Sequence, residues 1–392
     1  MKTLLVVTPE LPYLSRAERK WKEAADELPQ GTPFEETLNA DVIDAEYLDD
    51  LRSRSLVIRF FSKLLPLPLL QALIAYRVRQ RYDVVVNWDD RVALIYAFLL
   101  RLTHSRSRHV AILSWMPPRK KALALKLFQK GFDRIILWSQ TQRDLLVEFS
   151  KISPARIDVI PYFVDHNFWR PMDDVANSIC SAGDSRRDYA TLIEAIRDLD
   201  IRCHIATRIK LSGEDIRDYE VTRTSLAQIS SIPNNVTYQP ASVAEMRSMY
   251  AHARFVVVPL YPSFRDSGIT IVTQAMAMGK AIICSRIQGQ VELLEDGVTG
   301  IFVPHSDTQA LREAIEYLWN HPDVAEQMGR EGRRRAEEIF AFTRFVANVH
   351  QVVDDVITGS RTPIPTAEEQ MWALRKSSPQ RPVKEPVASY AG

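Results

Sequence analysis

Cysteine is scarce in this chain: Cys180, Cys203 and Cys284 are the only three in 392 residues. They stand far apart, with no C-x-x-C spacing, so they form neither a disulfide framework nor a thiolate metal cluster. They are expected as buried free thiols in a reducing, cytoplasmic setting. Net charge is nearly absent as well, +1 from 50 basic and 49 acidic residues. No global field draws the protein to nucleic acid, which is not expected as a partner, and any basic function must be local. No run approaches the roughly 18 consecutive apolar residues of a spanning helix, which leaves a membrane only peripheral contact. The start, MKTLLVVTPELPY, reads as a strand followed by prolines and lacks the apolar length and cleavage site of a signal peptide. The eight histidines form no H-x-H or H-E-x-x-H pattern, so no metal site is expected. No internal repeat is evident. What is plentiful is core material: 46% hydrophobic residues over a length that suits two domains.

The most informative stretch is 255–279, FVVVPLYPSFRDSGITIVTQAMAMG. Phe255 to Val258 is a continuous apolar run typical of a buried parallel strand, and Pro259 ends it. A loop to Asp266 follows. Ser267 is then expected to cap a helix whose first turn, Gly268 to Ile271, leaves backbone N–H groups unpaired at the carboxyl edge of the sheet. Such an end attracts phosphate. Thr270 and Gln274 are four apart and share a face, with Asp266 just ahead of them.

This stretch resembles the retaining glycosyltransferases of family 4, whose signature is Glu, seven residues, Glu, with a Gly-rich turn between the acids and Ala-x-Ala-x-Gly after the second. The chain has Asp266, seven residues, Gln274, with Ser267-Gly268 between and Ala275-Met276-Ala277-Met278-Gly279 after. Both acids have changed, yet both substitutes still offer hydrogen-bonding oxygens. The succession Gly289, Glu292, Glu295-Asp296-Gly297 through Pro304, Asp307 and Ala310-Leu311 also follows the family order. The resemblance implies the α/β GT-B fold, two Rossmann-like parallel-sheet domains facing a cleft. It implies an acceptor-side domain at 1–169 and a nucleotide-sugar domain at 170–340. A helix at 341–357 would cross back to the first domain, and a Pro-rich tail at 358–392 is expected to be mobile.

The resemblance also implies site residues. Relatives carry Gly-Arg and then Lys after the first strand of the second domain, two cations that hold the donor diphosphate. Here that strand, Ser178 to Ala182, runs into Gly183-Asp184-Ser185-Arg186-Arg187. Arg187 falls at the Lys position, Asp184 reverses the Arg, and Arg186 is a candidate substitute, since guanidinium binds phosphate bidentately. The rival reading, helix-start surface charge, is weakened because cations are disfavoured at an N-terminal helix end. Arg208 is expected beside the nucleotide base. Asp266 would hold sugar hydroxyls, Gln274 the ribose, and Ser267, Gly268, Ile269 and Thr270 the phosphate end. The only co-substrate implied is a nucleoside diphosphate sugar, with neither cofactor nor metal. A catalytically impaired scaffold of the same fold is the rival, since Asp184, Asp266 and Gln274 all depart from the pattern.

The first half matches less well. The Gly-Gly turn that relatives place after the first strand is Pro9-Glu10-Leu11-Pro12 here, and Ser114-Trp115-Met116 stands where relatives often carry a histidine. Asp89-Asp90 after the strand Val84-Val85-Val86 is similar to the metal-binding Asp-x-Asp of the other large glycosyltransferase fold, but capping of the next helix is preferred. Two stretches, Arg52 to Arg81 and Pro117 to Lys130, are both basic and apolar. They suit either an anionic lipid interface at the cytoplasmic membrane face or ordinary packing under surface charge. The acceptor stays open, lipid-linked or glycan.

Overall fold

The computed structural model describes residues 2–8, 14–113, 120–174, 176–208, 231–263, 267–289 and 292–377. They divide into two compact units. The first takes in residues up to Pro161, without 27–29, together with Thr343–Thr366; the second comprises 27–29, Tyr162–Phe342 and the chain from Ala367 onward.

Each unit is built on a six-stranded, wholly parallel sheet. The first contains β1 (Thr3–Val7), β2 (Ala40–Ile43), β3 (Val84–Trp88), β4 (Arg108–Ile112), β5 (Arg134–Leu137) and β6 (Ile157–Val159), in the order β2-β1-β3-β4-β5-β6. The second contains β7 (Ser178–Ala182), β8 (Cys203–Ala206), β9 (Val236–Gln239), β10 (Ala253–Val258), β11 (Ala281–Arg286) and β12 (Gly300–Pro304), in the order β12-β11-β10-β7-β8-β9. Strands such as Val84-Val85-Val86 and Phe255 to Val258 are fully buried, because helices cover both faces of a parallel sheet. In the second unit the chain runs outward from β7 through β8 to β9, then returns to lay β10 on the other side of β7. The carboxyl ends of β7 and β10 therefore flank a topological switch point, the usual ligand crevice of an open α/β sheet.

Two features differ from the expected layout. Residues 162–169 belong to the second unit, where Val164 bridges Ala341 and Phe168 and Trp169 are buried. The chain beyond 357 is not simply tail. Asp355 accepts from Thr362 N at 2.5 Å and Ser360 Oγ at 2.9 Å, folding 358–362 onto the helix Phe342–Thr358. The helix Ala367–Ser377 then packs Ala367, Met371 and Leu374 on the second unit's core, a spacing of four and three that makes one apolar stripe. Proline content hid that stripe. Trp372, next to it, is exposed. The three cysteines are free and buried, as expected.

Candidate functional site

The switch point in the second unit gathers the loop after β7 and the loop after β10. Gly183 leaves β7 with φ +103°, a conformation costly to any residue with a Cβ, and a Cβ there would lie 2.5 Å from Arg187 Nη2. That close approach lets the Arg187 side chain fold under the loop. Its Nε donates to Ala182 O at 2.7 Å and its Nη1 to Ser185 O at 2.9 Å, leaving the residue 3% exposed. No carboxylate pairs with it among the described residues. A buried guanidinium without a counter-ion is uncommon, because burying an unpaired charge is expensive.

The two loops are stitched by main chain. Arg187 bridges Leu260, Asp188 N donates to Pro259 O at 3.1 Å, and Tyr261 N donates to Arg186 O at 3.1 Å. Arg186 adopts a left-handed φ of +55°, which turns its half-exposed side chain toward the β10 loop, where Nη1 meets Pro262 O at 3.4 Å. Asp188 caps the helix Tyr189–Ile196 through Thr191 N and accepts from Ser306 Oγ at 2.9 Å.

Asp184 takes a different part from the one its position suggests. Its carboxylate accepts from Thr207 Oγ1 and Arg208 N, each at 2.8 Å, and from Arg208 Nε at 2.7 Å. Burial alone would raise its pKa, but the hydrogen bonds from Arg208 and Thr207 outweigh it and hold the group below the ordinary carboxylate range. The strand register explains the meeting: Ala182 pairs Ala206, so positions 184 and 208 emerge side by side. The Arg208 side chain remains 74% exposed while its Nε is held. The acid at 184 thus delivers a cation from the next strand, a pairing that sequence spacing alone did not reveal.

Beyond β10, Asp266 lies outside the described residues, as do Pro9 to Pro12 and Ser114 to Met116. The cap expected at Ser267 is corrected. Gly268, at φ +83°, is the N-cap of the helix Ile269–Ala277 and no side chain caps it, while Ser267 is buried one residue earlier. A glycine that turns left-handed starts the helix without a hydroxyl, and the first-turn N–H groups of Ile269 to Ile271 are left without a side-chain cap. Thr270 is exposed at this end, with its Oγ1 3.4 Å from Tyr162 Oη. Gln274, one turn on, accepts from the buried Tyr250 hydroxyl at 3.3 Å through Oε1. Gly183, Arg186 and Arg187 therefore meet the stretch Pro259 to Pro262 at the switch point, and Gln274 stands one turn beyond Thr270 along the helix. Arg208 joins them through Asp184. Asp89, in the first unit, caps the helix Asp90–Leu102, accepting from Arg91 N and Val92 N at 2.8 and 3.0 Å.

Residues 178–321 match the family described as Glycosyl transferases group 1. The matched stretch lies within the second unit. The chain as a whole has the GT-B fold: it superposes on a sucrose-phosphate synthase from Thermosynechococcus elongatus with TM-score 0.66 over 92% of this chain and 100% of that one, at 16% identity. HepE of Anabaena in complex with UDP-glucose gives TM-score 0.64 with the same coverages, at 15% identity. In sequence, the chain is 26% identical over 229 residues to an MMP α-(1→4)-mannosyltransferase of Mycolicibacterium hassiacum, covering 56% of this chain and 53% of that protein. It is 28% identical over 187 residues to the O-antigen chain mannosyltransferase C of Escherichia coli, covering 46% and 50%. The chain spans about half the length of the curated relatives it matches. The matched stretch holds every candidate site residue named above except Asp89, which lies in the first unit.

Proposed function

We propose that the protein is a retaining, metal-independent glycosyltransferase that moves a hexose-type sugar from a nucleoside diphosphate to an acceptor hydroxyl. The observation that carries this reading is Arg187, a buried cation without a carboxylate partner among the described residues, set at the switch point within the stretch that matches group 1 glycosyl transferases. A diphosphate in the crevice would supply the missing negative charge. Its charge would meet Arg187 through the low-dielectric loop, Arg186 and Arg208 from solvent, and the helix start at Gly268 to Thr270. Three guanidinium groups and a helix end provide the neutralisation that a divalent ion provides elsewhere. Asp266 is assigned to the sugar hydroxyls and Gln274 to the ribose. Two mannosyltransferases among the relatives support the class, and the solved complex of HepE with UDP-glucose supports a nucleotide-sugar donor.

In the transfer the bond from the anomeric carbon to the diphosphate oxygen breaks while a bond to the acceptor oxygen forms on the same face. The leaving phosphate oxygen takes the acceptor's proton, so no side-chain base is required. The buried positive charge of Arg187 favours that departure. The compensated pairing of Asp184 with Arg208 argues for a maintained site rather than a decayed one.

The test is binding and slow hydrolysis across UDP-, GDP- and ADP-sugars, with Arg187→Lys and Asp266→Ala beside the unaltered protein. One donor is expected to bind and turn over. Asp266→Ala should weaken turnover at least tenfold while the thermal transition stays in place. If no donor binds, or if both variants match the parent, the assignment fails.

A further inference from the structure

The long stretch of the second unit begins at Tyr162 and ends at Phe342, and its two ends are joined. Val164 bridges Ala341, Val164 N donates to Phe340 O at 2.8 Å, and Phe342 N donates to Val164 O at 3.0 Å. Three rings stack on this bridge. Phe342 is buried and meets Phe163 at 5.1 Å, and Phe163 lies nearly parallel to Tyr162, centroids 4.9 Å apart and planes at 21°. Tyr162, half-buried, is the outer member of that ladder. Its hydroxyl accepts from Oγ1 of the exposed Thr270 at 3.4 Å, in the first turn of the helix Ile269–Ala277.

The other end of the same segment is tied to the other end of the same helix. Asp165 turns the chain by accepting from Asn167 N at 3.0 Å and Phe168 N at 3.3 Å. Arg333 Nη1 then donates to His166 O at 2.8 Å, to Trp169 O at 2.9 Å and to Ala277 O, the last residue of the helix, at 2.6 Å. Between these ends the Trp169 ring meets Tyr250 at 5.7 Å, whose hydroxyl donates to Gln274 in the middle of the helix. The segment 162–169 is thus fastened to one helix at its start, centre and finish. Tyr162 is held at the helix start before any ligand arrives, which lowers the ordering cost of a contact made there.

Strand order places that start along the donor. β8, β7 and β10 are neighbours, Arg208 follows β8, the buried Arg187 follows β7, and Gly268 to Thr270 follow β10. With the base beside Arg208, a donor crossing β7 sets its first phosphate over Gly183 and Arg187 and its second at the helix start. We infer that Tyr162 is a further donor-binding residue, its hydroxyl donating to an oxygen of the second phosphate beside the first-turn N–H groups. A hydroxyl both accepts and donates, so it keeps the bond from Thr270 while its own hydrogen turns to the phosphate. The bond strengthens as negative charge collects on the departing diphosphate, so it serves turnover as well as binding. This role rests on the glycosyltransferase reading and adds to it a residue from outside the two switch-point loops.

Calorimetric titration of the full chain with UDP, GDP and ADP, and with the matching monophosphates, tests it. The unaltered protein should bind one diphosphate. Tyr162→Phe keeps the ring and removes the hydroxyl; it should weaken that diphosphate about tenfold and the monophosphate less than about twofold, with an unchanged thermal transition. Tyr162→Leu, which removes the ring as well, should weaken the diphosphate by a similar factor. If only Tyr162→Leu weakens binding, the side chain serves packing and the assignment is overturned. Equal losses for diphosphate and monophosphate overturn it too, since the hydroxyl then does not meet the second phosphate. A parent that binds a diphosphate and a Tyr162→Phe variant that binds it equally well sink this role alone. A parent that binds none of the diphosphates sinks the glycosyltransferase reading, and this role with it.

Discussion

The residue that reads most differently in sequence and in space is Asp184. As a letter it reverses a cation in a phosphate site; as a side chain it is the anchor of Arg208, whose N–H and guanidinium it holds together. The exchange keeps one positive charge at the carboxyl ends of β7 and β8. Arg208→Ala is expected to weaken donor binding roughly tenfold or more, the range for a lost hydrogen bond to a charged group. The reversed pair, Asp184→Arg with Arg208→Asp, should recover most of that loss in a titration with donor, because the cation then stands on β7 instead of β8. No recovery would mean that the pair serves only to fasten the two loops. The Glu-x7-Glu frame points to Gly268 and Gln274 as candidates, and the Gly-Arg-Lys pattern after Ser178–Ala182 points to Gly183 and Arg187. Neither was enough to find their partners, since a partner depends on which strands lie side by side. Ser267 was misread as a cap for a related reason: a serine before a helix is the commoner cap, and only the left-handed turn at Gly268 shows that backbone geometry starts this helix.

Among the elements, the strands were the most legible, because runs such as Val84 to Val86 and Phe255 to Val258 are apolar on both faces and match a covered parallel sheet. The helices Leu56–Leu64 and Ala367–Ser377 were less so, one because its apolar side faces outward and the other because prolines precede it. One element carries a titration that composition does not betray. On β4 the buried His109 ring donates from Nδ1 to Gly131 O at 2.7 Å and accepts at Nε2 from Asn87 at 2.8 Å, between Tyr96 and Phe132. Asn87 can only donate through its amide nitrogen, so the ring is neutral. Burial lowers its pKa to about 4 despite the opposing hydrogen bond to Gly131. The unfolded chain takes up a proton near pH 6.5 and the folded one does not until about pH 4. Stability should therefore be full above pH 6.5 and decline as pH falls through that window, by roughly 3 kcal/mol in total. Urea titrations at stepwise lower pH would check the slope, and His109→Gln should flatten it; an unchanged slope in that variant would assign the loss to other groups.

At the scale of the whole molecule, two sheets of six parallel strands each bury their own core, and the chain returns to the first unit through Thr343–Thr366 before ending on the second. All three thiols fall within the second unit, Cys180 on β7, Cys203 on β8 and Cys284 on β11, and desolvation pushes Cys203 and Cys284 up to about 12 and Cys180 higher still. Thiolate attack on a labelling reagent thus requires that this sheet first open. The distribution gives the protein a built-in gauge of one half of itself: the rate of reaction with a disulfide reagent follows opening of the second unit and is blind to the first. A nucleoside diphosphate sugar held at the switch point should slow all three labelling steps together.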